Sequence, residues 1–321
     1  MTFLMTDITV IIPAYNEAES LPELNSWIRR VMTEHGFSYE ILMIDDGSDD
    51  GSWNVIRDLS ASDPAVHGLR FRRNYGKSAA LYCGFERASG NVVFTMDADL
   101  QDSPDEIPNM YRMVTEEDWD IVSGWKKHRV DNKLTKNLPS KLYNATARMI
   151  TGIRLHDMNC GLKAYRNEVV KNIEVYGEMH RYIPYLAKNA GFTRITETPV
   201  HHSKRKYGKS KFGMDRFVNG FLDLLSLWFL SRFGSKPMHF FGYSGIGMFL
   251  IGLVMTICII VTKLTRQAHG APFRAVTDQP LFYLALVAVI LGVMLFLAGF
   301  VGELISRNSP ERNNYKIRDE F

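Results

Sequence analysis

The chain has 321 residues, a formal net charge of +3 and an isoelectric point near 8.6, which allows one large domain plus an appendage and leaves no strong nucleic-acid footprint. Its three cysteines, Cys83, Cys160 and Cys258, are far apart and form no CxxC pair. That argues against a disulfide framework or a structural zinc site and suits a reducing cytoplasm. A mean hydropathy of −0.13 averages two unlike parts, an α/β-like stretch over 1–215 and an apolar one over 216–306.

The start of the chain lacks a charged, apolar and cleavable leader pattern, so no signal peptide is expected. Short apolar, β-branched runs at 8–12, 40–44, 66–71, 91–96 and 121–123 alternate with helical stretches near 17–34, 52–61, 76–89 and 104–117. That rhythm predicts βαβ units and a mostly parallel sheet with helices on both faces. Ligands of such sheets sit outside the carboxyl ends of the strands. Polar residues follow the strands here too, at 13–17, 45–48 and 97–101. From 126 to 141 the chain turns basic, and it is then helical to about 150. A strand-like stretch at 193–201 leads into a basic loop at 202–213. The acceptor-like tripeptide Asn144-Ala145-Thr146 lies within this domain and reads as coincidence.

Residues 216–233 carry Asn219, Asp223 and Ser226 at helical spacing on an otherwise apolar stretch, which predicts an interfacial helix rather than a soluble core helix. Two uncharged segments, 240–262 and 280–302, are each long enough to cross a hydrocarbon core. Their connection is short, so a hairpin is expected, and Gly242, Gly245, Gly247 and Gly252 read as helix-packing positions. The boundaries follow as a catalytic domain at 1–213, juxtamembrane helices at 214–238, a two-span hairpin at 239–306 and a tail at 307–321. Flanking Arg and Lys, together with the nucleotide chemistry argued next, put the domain and tail on the cytoplasmic side.

The sharpest chemical signal is Asp97-Ala98-Asp99-Leu100-Gln101, directly after an apolar strand. Paired carboxylates there can hold a hard divalent cation together with substrate phosphates, and the cation then neutralises a leaving diphosphate. Asp45-Asp46-Gly47-Ser48 ends another strand and suits ribose hydroxyls or a base edge, or else caps the helix that follows. Ile12-Pro13-Ala14-Tyr15-Asn16-Glu17 follows the first strand, where Tyr15 and Glu17 can frame a nucleobase.

The set I-P-A-Y-N-E at 12–17, D-D-G-S at 45–48, N-Y-G-K at 74–77 and D-A-D-L-Q at 97–101 resembles glycosyltransferase family two, with its GT-A fold. D-M-N-C-G-L-K at 157–163 and R-K-Y-G-K-S-K at 205–211 narrow the likeness to the dolichyl-phosphate mannose synthase group and its bacterial relatives, including bactoprenol glucosyltransferases. With the two spans included, the resemblance covers nearly the whole chain. It implies that Pro13, Tyr15, Glu17, Asp46, Lys77 and Asp97 surround the nucleotide. Asp97, Asp99 and Gln101 would hold Mg²⁺ or Mn²⁺, and Arg205 would close on the diphosphate. Lys126, Lys136 and Ser140 would meet the lipid phosphate, although the family often has arginine at the first two places. A lysine there pairs as a point charge rather than a fork, and Arg129 or Lys127 can substitute.

The basic cluster at 126–141, with Arg205, Lys206, Lys209 and Lys211, also fits an anionic headgroup on charge alone, or a face drawn to anionic lipid. Asp157 matches the acidic residue of the family's D-x-x-x-G-[FL]-[RK] element. Three readings stay open for it: catalytic carboxylate, orienting group, or cap of a turn before Gly161. A phosphate acceptor is already anionic and needs no general base. His156, His201 and His202 have no zinc-like spacing and read as structural or solvated. The expected activity is inverting transfer of a hexose, from a UDP-glucose or GDP-mannose type donor, to undecaprenyl or dolichyl phosphate at the cytoplasmic membrane face. UDP and a homo-oligomer are favoured by resemblance. A processive synthase lacks its Q-x-x-R-W element here, a nucleotidyltransferase lacks its triphosphate loop, and a silent scaffold does not need the acidic motifs.

Overall fold

Ile8, Val10, Ile11 and Ile12 are fully buried, so the first apolar run is a central strand, β1 (Ile8–Ala14), covered on both faces. The computed structural model describes residues 6–127, 148, 151–204, 206, 207, 229, 237–270, 272, 274–307 and 317–320. Contacts divide the chain into two units, Met1–Leu224 with Arg312–Phe321, and Leu225–Glu311.

In the first unit the chain alternates β1, α1 (Leu21–His35), β2 (Tyr39–Asp45), α2 (Ser52–Ser62), β3 (Val66–Phe71), α3 (Lys77–Arg87), β4 (Val92–Thr95), α4 (Ile107–Thr115) and β5 (Ile121–Trp125). Then follow β6 (Lys163–Arg166), α5 (Asn167–Lys171), α6 (Ile183–Asn189), β7 (Ile195–Pro199) and, far along the chain, β8 (Ile317–Glu320). One sheet holds all eight strands in the order β7-β5-β6-β4-β1-β2-β3-β8. The pairs β1–β2, β1–β4, β2–β3 and β5–β7 are parallel, as the βαβ rhythm predicts. Leu21, Leu24, Ile28 and Met32 of α1 recur at helical spacing and pack with β1 and β2 residues in the main core.

Two strands lie outside the predicted set, and both run against their neighbours. β6 is inserted antiparallel between β4 and β5, with Thr95 opposite Lys163 and Ser123 opposite Lys163. Its sequence, Lys-Ala-Tyr-Arg, has a cation where an apolar residue is expected, yet Lys163 is 3% exposed. β8 pairs antiparallel with the edge strand β3, and Arg87 clasps Glu320 through Nε at 2.6 Å and Nη2 at 3.1 Å. The stretch expected as a cytoplasmic tail therefore contributes a strand to the eight-stranded sheet.

The second unit is a helical hairpin of α7 (Pro237–Ala268) and α8 (Pro280–Arg307). Windows within Met238–Ala268 and Pro280–Gly302 have mean hydropathies of 2.5 and 2.9 and are only 17% and 22% buried. A soluble core helix would be mostly buried, so both helices fit membrane spans. Small residues set how closely they approach. A Cβ on Gly245 would lie 2.6 Å from the Gly292 carbonyl oxygen, and one on Gly252 2.7 Å from that of Ala285. Gly242 and Gly247 do not serve this purpose, the latter facing open space. The expected interfacial helix at 216–233 lies outside the described residues.

A Cβ on Gly292 would sit 2.6 Å from the Phe249 backbone nitrogen, a clash that no rotamer relieves. Gly292→Val is therefore expected to destabilise the hairpin by about 1–3 kcal/mol, as overpacking does. The measurement is the thermal midpoint of the detergent-solubilised protein, with Gly247→Ala unchanged as the control.

Candidate active site at the carboxyl edge of the sheet

The loops after β1 and β2 are stitched together before either meets a ligand. The Asp46 amide donates to the Ala14 carbonyl at 2.8 Å, the Asn16 amide to Ser48 Oγ at 2.9 Å, and the Asp49 amide to Asn16 Oδ1 at 3.0 Å. The Glu17 amide reaches Ser52 Oγ at 2.9 Å, which fixes the I-P-A-Y-N-E loop against the start of α2. Tyr15 stays exposed at 37%. Gly47 has φ of 72°, and a Cβ there would meet the Arg73 carbonyl carbon at 2.5 Å, so D-D-G-S admits only glycine at that place.

The two aspartates of that motif have different tasks. Asp45 is fully buried, accepts from the Ser48 amide at 3.0 Å and pairs with Arg70 Nε at 3.2 Å. Asp46 accepts from the Tyr75 and Gly76 amides at 2.7 and 2.9 Å, which brings N-Y-G-K to the carboxyl edge of the sheet. Burial pushes the Asp46 carboxyl up to about 6, against the pull of those two amides.

Lys77 follows as the first residue of α3 and pairs with Asp97 at the end of β4. Burial opposes ionisation of Asp97, but the ammonium of Lys77, with Lys126 and Lys163 behind it, holds the carboxyl at about 2. Asp97 lies directly against Gly161. A Cβ on Gly161 would come 2.6 Å from the Asp97 carboxyl carbon, and Thr95 Oγ1 donates to the Gly161 carbonyl at 2.9 Å. The glycine of D-x-x-x-G is thus explained by the first aspartate of D-x-D. Asp99 is 8% exposed and accepts from the Gln101 amide at 3.2 Å, while Leu100 turns through a positive φ of 58°. Asp157 is buried at 3% and accepts from the Asn159 amide at 3.2 Å.

The far side of this loop meets β5 and the segment after β7. Lys126, expected at the lipid phosphate, instead lies 2.7 Å from the buried Asp102 carboxylate, with its side chain 12% exposed. His202 Nδ1 is 3.5 Å from the same oxygen. The Ser203 amide donates to the Gln101 carbonyl at 2.8 Å, so the root of the basic loop starts beside the D-x-D motif. Further on, Lys206 pairs with Glu23 at 2.7 Å. Arg129, Lys136, Ser140 and Arg205 lie outside the described residues. Asp102, Gly161, Lys163 and His202 were not singled out for the site by sequence. For Asp102 the available signal is that it directly extends D-A-D-L-Q, and for Lys163 that it closes the D-M-N-C-G-L-K element.

Residues 9–174 match the profile described as Glycosyl transferase family 2. The chain belongs to that family. It is 31% identical over 320 residues to a dodecaprenyl-phosphate galacturonate synthase of Rhizobium johnstonii, covering 98% of this chain and 93% of the relative. It is 37% identical over 318 residues to an undecaprenyl-phosphate 4-deoxy-4-formamido-L-arabinose transferase of Shewanella sediminis, covering 97% and 92%. Among solved structures, glucosyl-3-phosphoglycerate synthase of Mycobacterium tuberculosis, in complex with Mn²⁺, UDP-glucose and phosphoglyceric acid, matches with a TM-score of 0.53 at 17% identity, covering 70% of this chain and 79% of that one. Mannosyl-3-phosphoglycerate synthase of Rubrobacter xylanophilus matches with a TM-score of 0.56 at 16% identity, covering 71% and 75%. The GT-A type of sheet expected from the motifs is the fold found.

Within this family 2 chain, the donor set for a metal is oxygen-only. Among the described residues no group of three or more His, Cys, Asp or Glu gathers as a metal cage. Asp97, Asp99 and the Gln101 amide oxygen are the donors that one loop offers, which fits a hard cation whose remaining positions are filled by phosphate oxygens and water.

Burial pushes the Asp46 carboxyl up to about 6, so the charge that would accept from a ribose hydroxyl, if Asp46 serves the nucleotide as expected, is lost as pH falls through that value. Donor KM is expected to rise severalfold between about pH 7.5 and about pH 5, by the usual titration of one carboxyl. Asp46→Asn should show the weak donor binding at both pH values, which steady-state kinetics against donor concentration would read.

Proposed function

We propose that this glycosyltransferase moves a sugar from a nucleotide-sugar to a polyprenyl phosphate at the cytoplasmic face of a membrane. The observation that carries the reading is the gathering of Asp46, Lys77, Asp97 and Asp99 at one edge of the sheet, in a chain that also holds two membrane-length apolar helices. It is supported by two relatives, alike over nearly their whole lengths, that are named as polyprenyl-phosphate sugar enzymes. One is named for galacturonate and the other for a 4-formamido pentose, so the donor panel has to reach beyond the UDP-glucose and GDP-mannose types. A UDP-linked donor is our first choice, in keeping with the UDP-glucose bound by a structural neighbour.

In this reading a phosphate oxygen of the acceptor attacks the anomeric carbon, the bond from that carbon to the diphosphate oxygen breaks, and configuration inverts. The acceptor is already an anion, so positioning contributes more than proton removal. Asp157, fixed by its own turn at the Asn159 amide, orients the sugar or the acceptor. Lys77 holds the Asp97 carboxylate ionised and aimed, and Asp46 with Tyr15 receives the nucleoside. Asp97, Asp99 and Gln101 would hold Mg²⁺ or Mn²⁺, whose chemistry is to neutralise the charge that develops on the leaving diphosphate. By resemblance Arg205 is assigned to the donor diphosphate and Lys136 and Ser140 to the lipid phosphate, with Arg129 as a substitute there.

The test is transfer of radiolabel from a panel of UDP- and GDP-sugars to undecaprenyl phosphate in detergent, read in the organic phase. Label should appear with one donor, vanish with chelator, and drop by at least about 100-fold in Asp99→Asn, the scale of losing one charge-stabilising group. Full turnover in Asp99→Asn would sink the metal–diphosphate assignment. Donor hydrolysis without lipid product would redirect the acceptor.

A further inference from the structure

We infer that Asp102 is a positioning residue that ties the carboxyl ends of β4, β5 and β7 into one platform, and that Lys126 acts through this tie rather than on the acceptor phosphate. The inference rests on the polyprenyl-phosphate transfer proposed above, and it removes one cation from the acceptor's side of that reaction.

The geometry is closed on itself. Asp102 is 1% exposed and directly follows Gln101 on the loop after β4. Lys126, the first residue after β5, brings its ammonium to 2.7 Å from Asp102 Oδ1. His202, on the segment after β7, places Nδ1 3.5 Å from the same oxygen, and its backbone forms an isolated antiparallel bridge with Asp102. Around this centre the Ser203 amide donates to the Gln101 carbonyl at 2.8 Å, Gln101 Nε2 donates to the Ser203 carbonyl at 3.4 Å, and the Val200 amide donates to the Trp125 carbonyl at 3.0 Å. Lys163 does not compete for the place, because its ammonium is taken by the Cys160 carbonyl.

A lysine so held, with its side chain 12% exposed, offers little of its ammonium to a lipid phosphate, and drawing it away costs the sealed carboxylate its nearest cation. What it does control is the loop that carries Asp97, Asp99 and Gln101. A displacement of that loop by about 1 Å is enough to cost orders of magnitude in turnover.

The experiment is steady-state kinetics of the full-length enzyme in detergent, with donor and acceptor varied separately, for Lys126→Met, Asp102→Asn, the double variant and Lys126→Arg. Each single neutral variant is expected to lower kcat by about tenfold to 100-fold through misplacement, with acceptor KM unchanged within about twofold. The double variant should be no worse than the worse single, because both remove one tie. Lys126→Arg should recover most of the turnover, since a guanidinium still reaches the carboxylate. A rise of about tenfold in acceptor KM for Lys126→Met with Asp102→Asn near wild type, or single effects that multiply in the double, overturns the inference. Should Asp102→Asn fail to fold alone, the double variant removes both charges and decides. Kinetics like those of Lys126→Met support the tie, and normal kcat refutes it. A wild-type enzyme that yields no lipid-linked product from any donor refutes the proposed function instead.

Discussion

Carboxylates crowd the carboxyl edge of this sheet, and each makes its neighbours harder to ionise unless a cation or an N–H group stands against it. The fold meets that constraint by drawing each partner from a distant part of the chain. Arg70 of β3 serves Asp45, the amides before α3 serve Asp46, Lys77 of α3 serves Asp97, and Lys126 after β5 serves Asp102. None of these pairs is local in sequence, so the acidic loops take their shape only once the sheet has assembled. Breaking one buried pair leaves a lone charge in a poor solvent for it, at a cost of about 3–5 kcal/mol. Electrostatics and packing are therefore one problem here.

The same arrangement holds the acidic loops in one place at the edge of the sheet. The residues proposed to meet a nucleotide and a diphosphate stand partly on loops stitched to one another by backbone amides that donate to a carbonyl and to serine hydroxyls. Such preorganisation suits a reaction in which charge on a leaving group must be met without rearrangement. The GT-A sheet is common to glucosyl- and mannosyl-3-phosphoglycerate synthases and to this chain with its apolar hairpin, so the fold does not by itself select an acceptor. Acceptor choice has to come from what is added around the sheet.

Much of this was legible in the sequence because the informative signals are periodic or abrupt. The parallel strands could be read from β-branched runs, the two spans from uninterrupted apolar length, and the D-x-D motif from its place after β4. β6 was missed because Lys163 breaks its apolar pattern, and that cation is buried only through contacts with β4 and β5 that no local pattern encodes. The Lys126–Asp102 pair was not legible for a related reason. A run of basic residues looks like one surface, whereas its first member turns inward to a carboxylate more than twenty positions earlier. Gly161 could be read as part of a motif but not as a consequence of Asp97, since close approach between distant segments leaves no mark in spacing.

The strand β8 has an implication for how the protein is made. In chain order it comes after both apolar helices, so β3 has an unpaired edge throughout the synthesis and membrane insertion of everything between. An exposed edge strand is a template for wrong partners, including the same edge on another nascent chain. Completion of the catalytic sheet is thereby made contingent on completion of the hairpin, and Arg87 waits for Glu320 as the fastener. A chain that stalls within the hairpin keeps that sticky edge, which marks it for aggregation or for quality control.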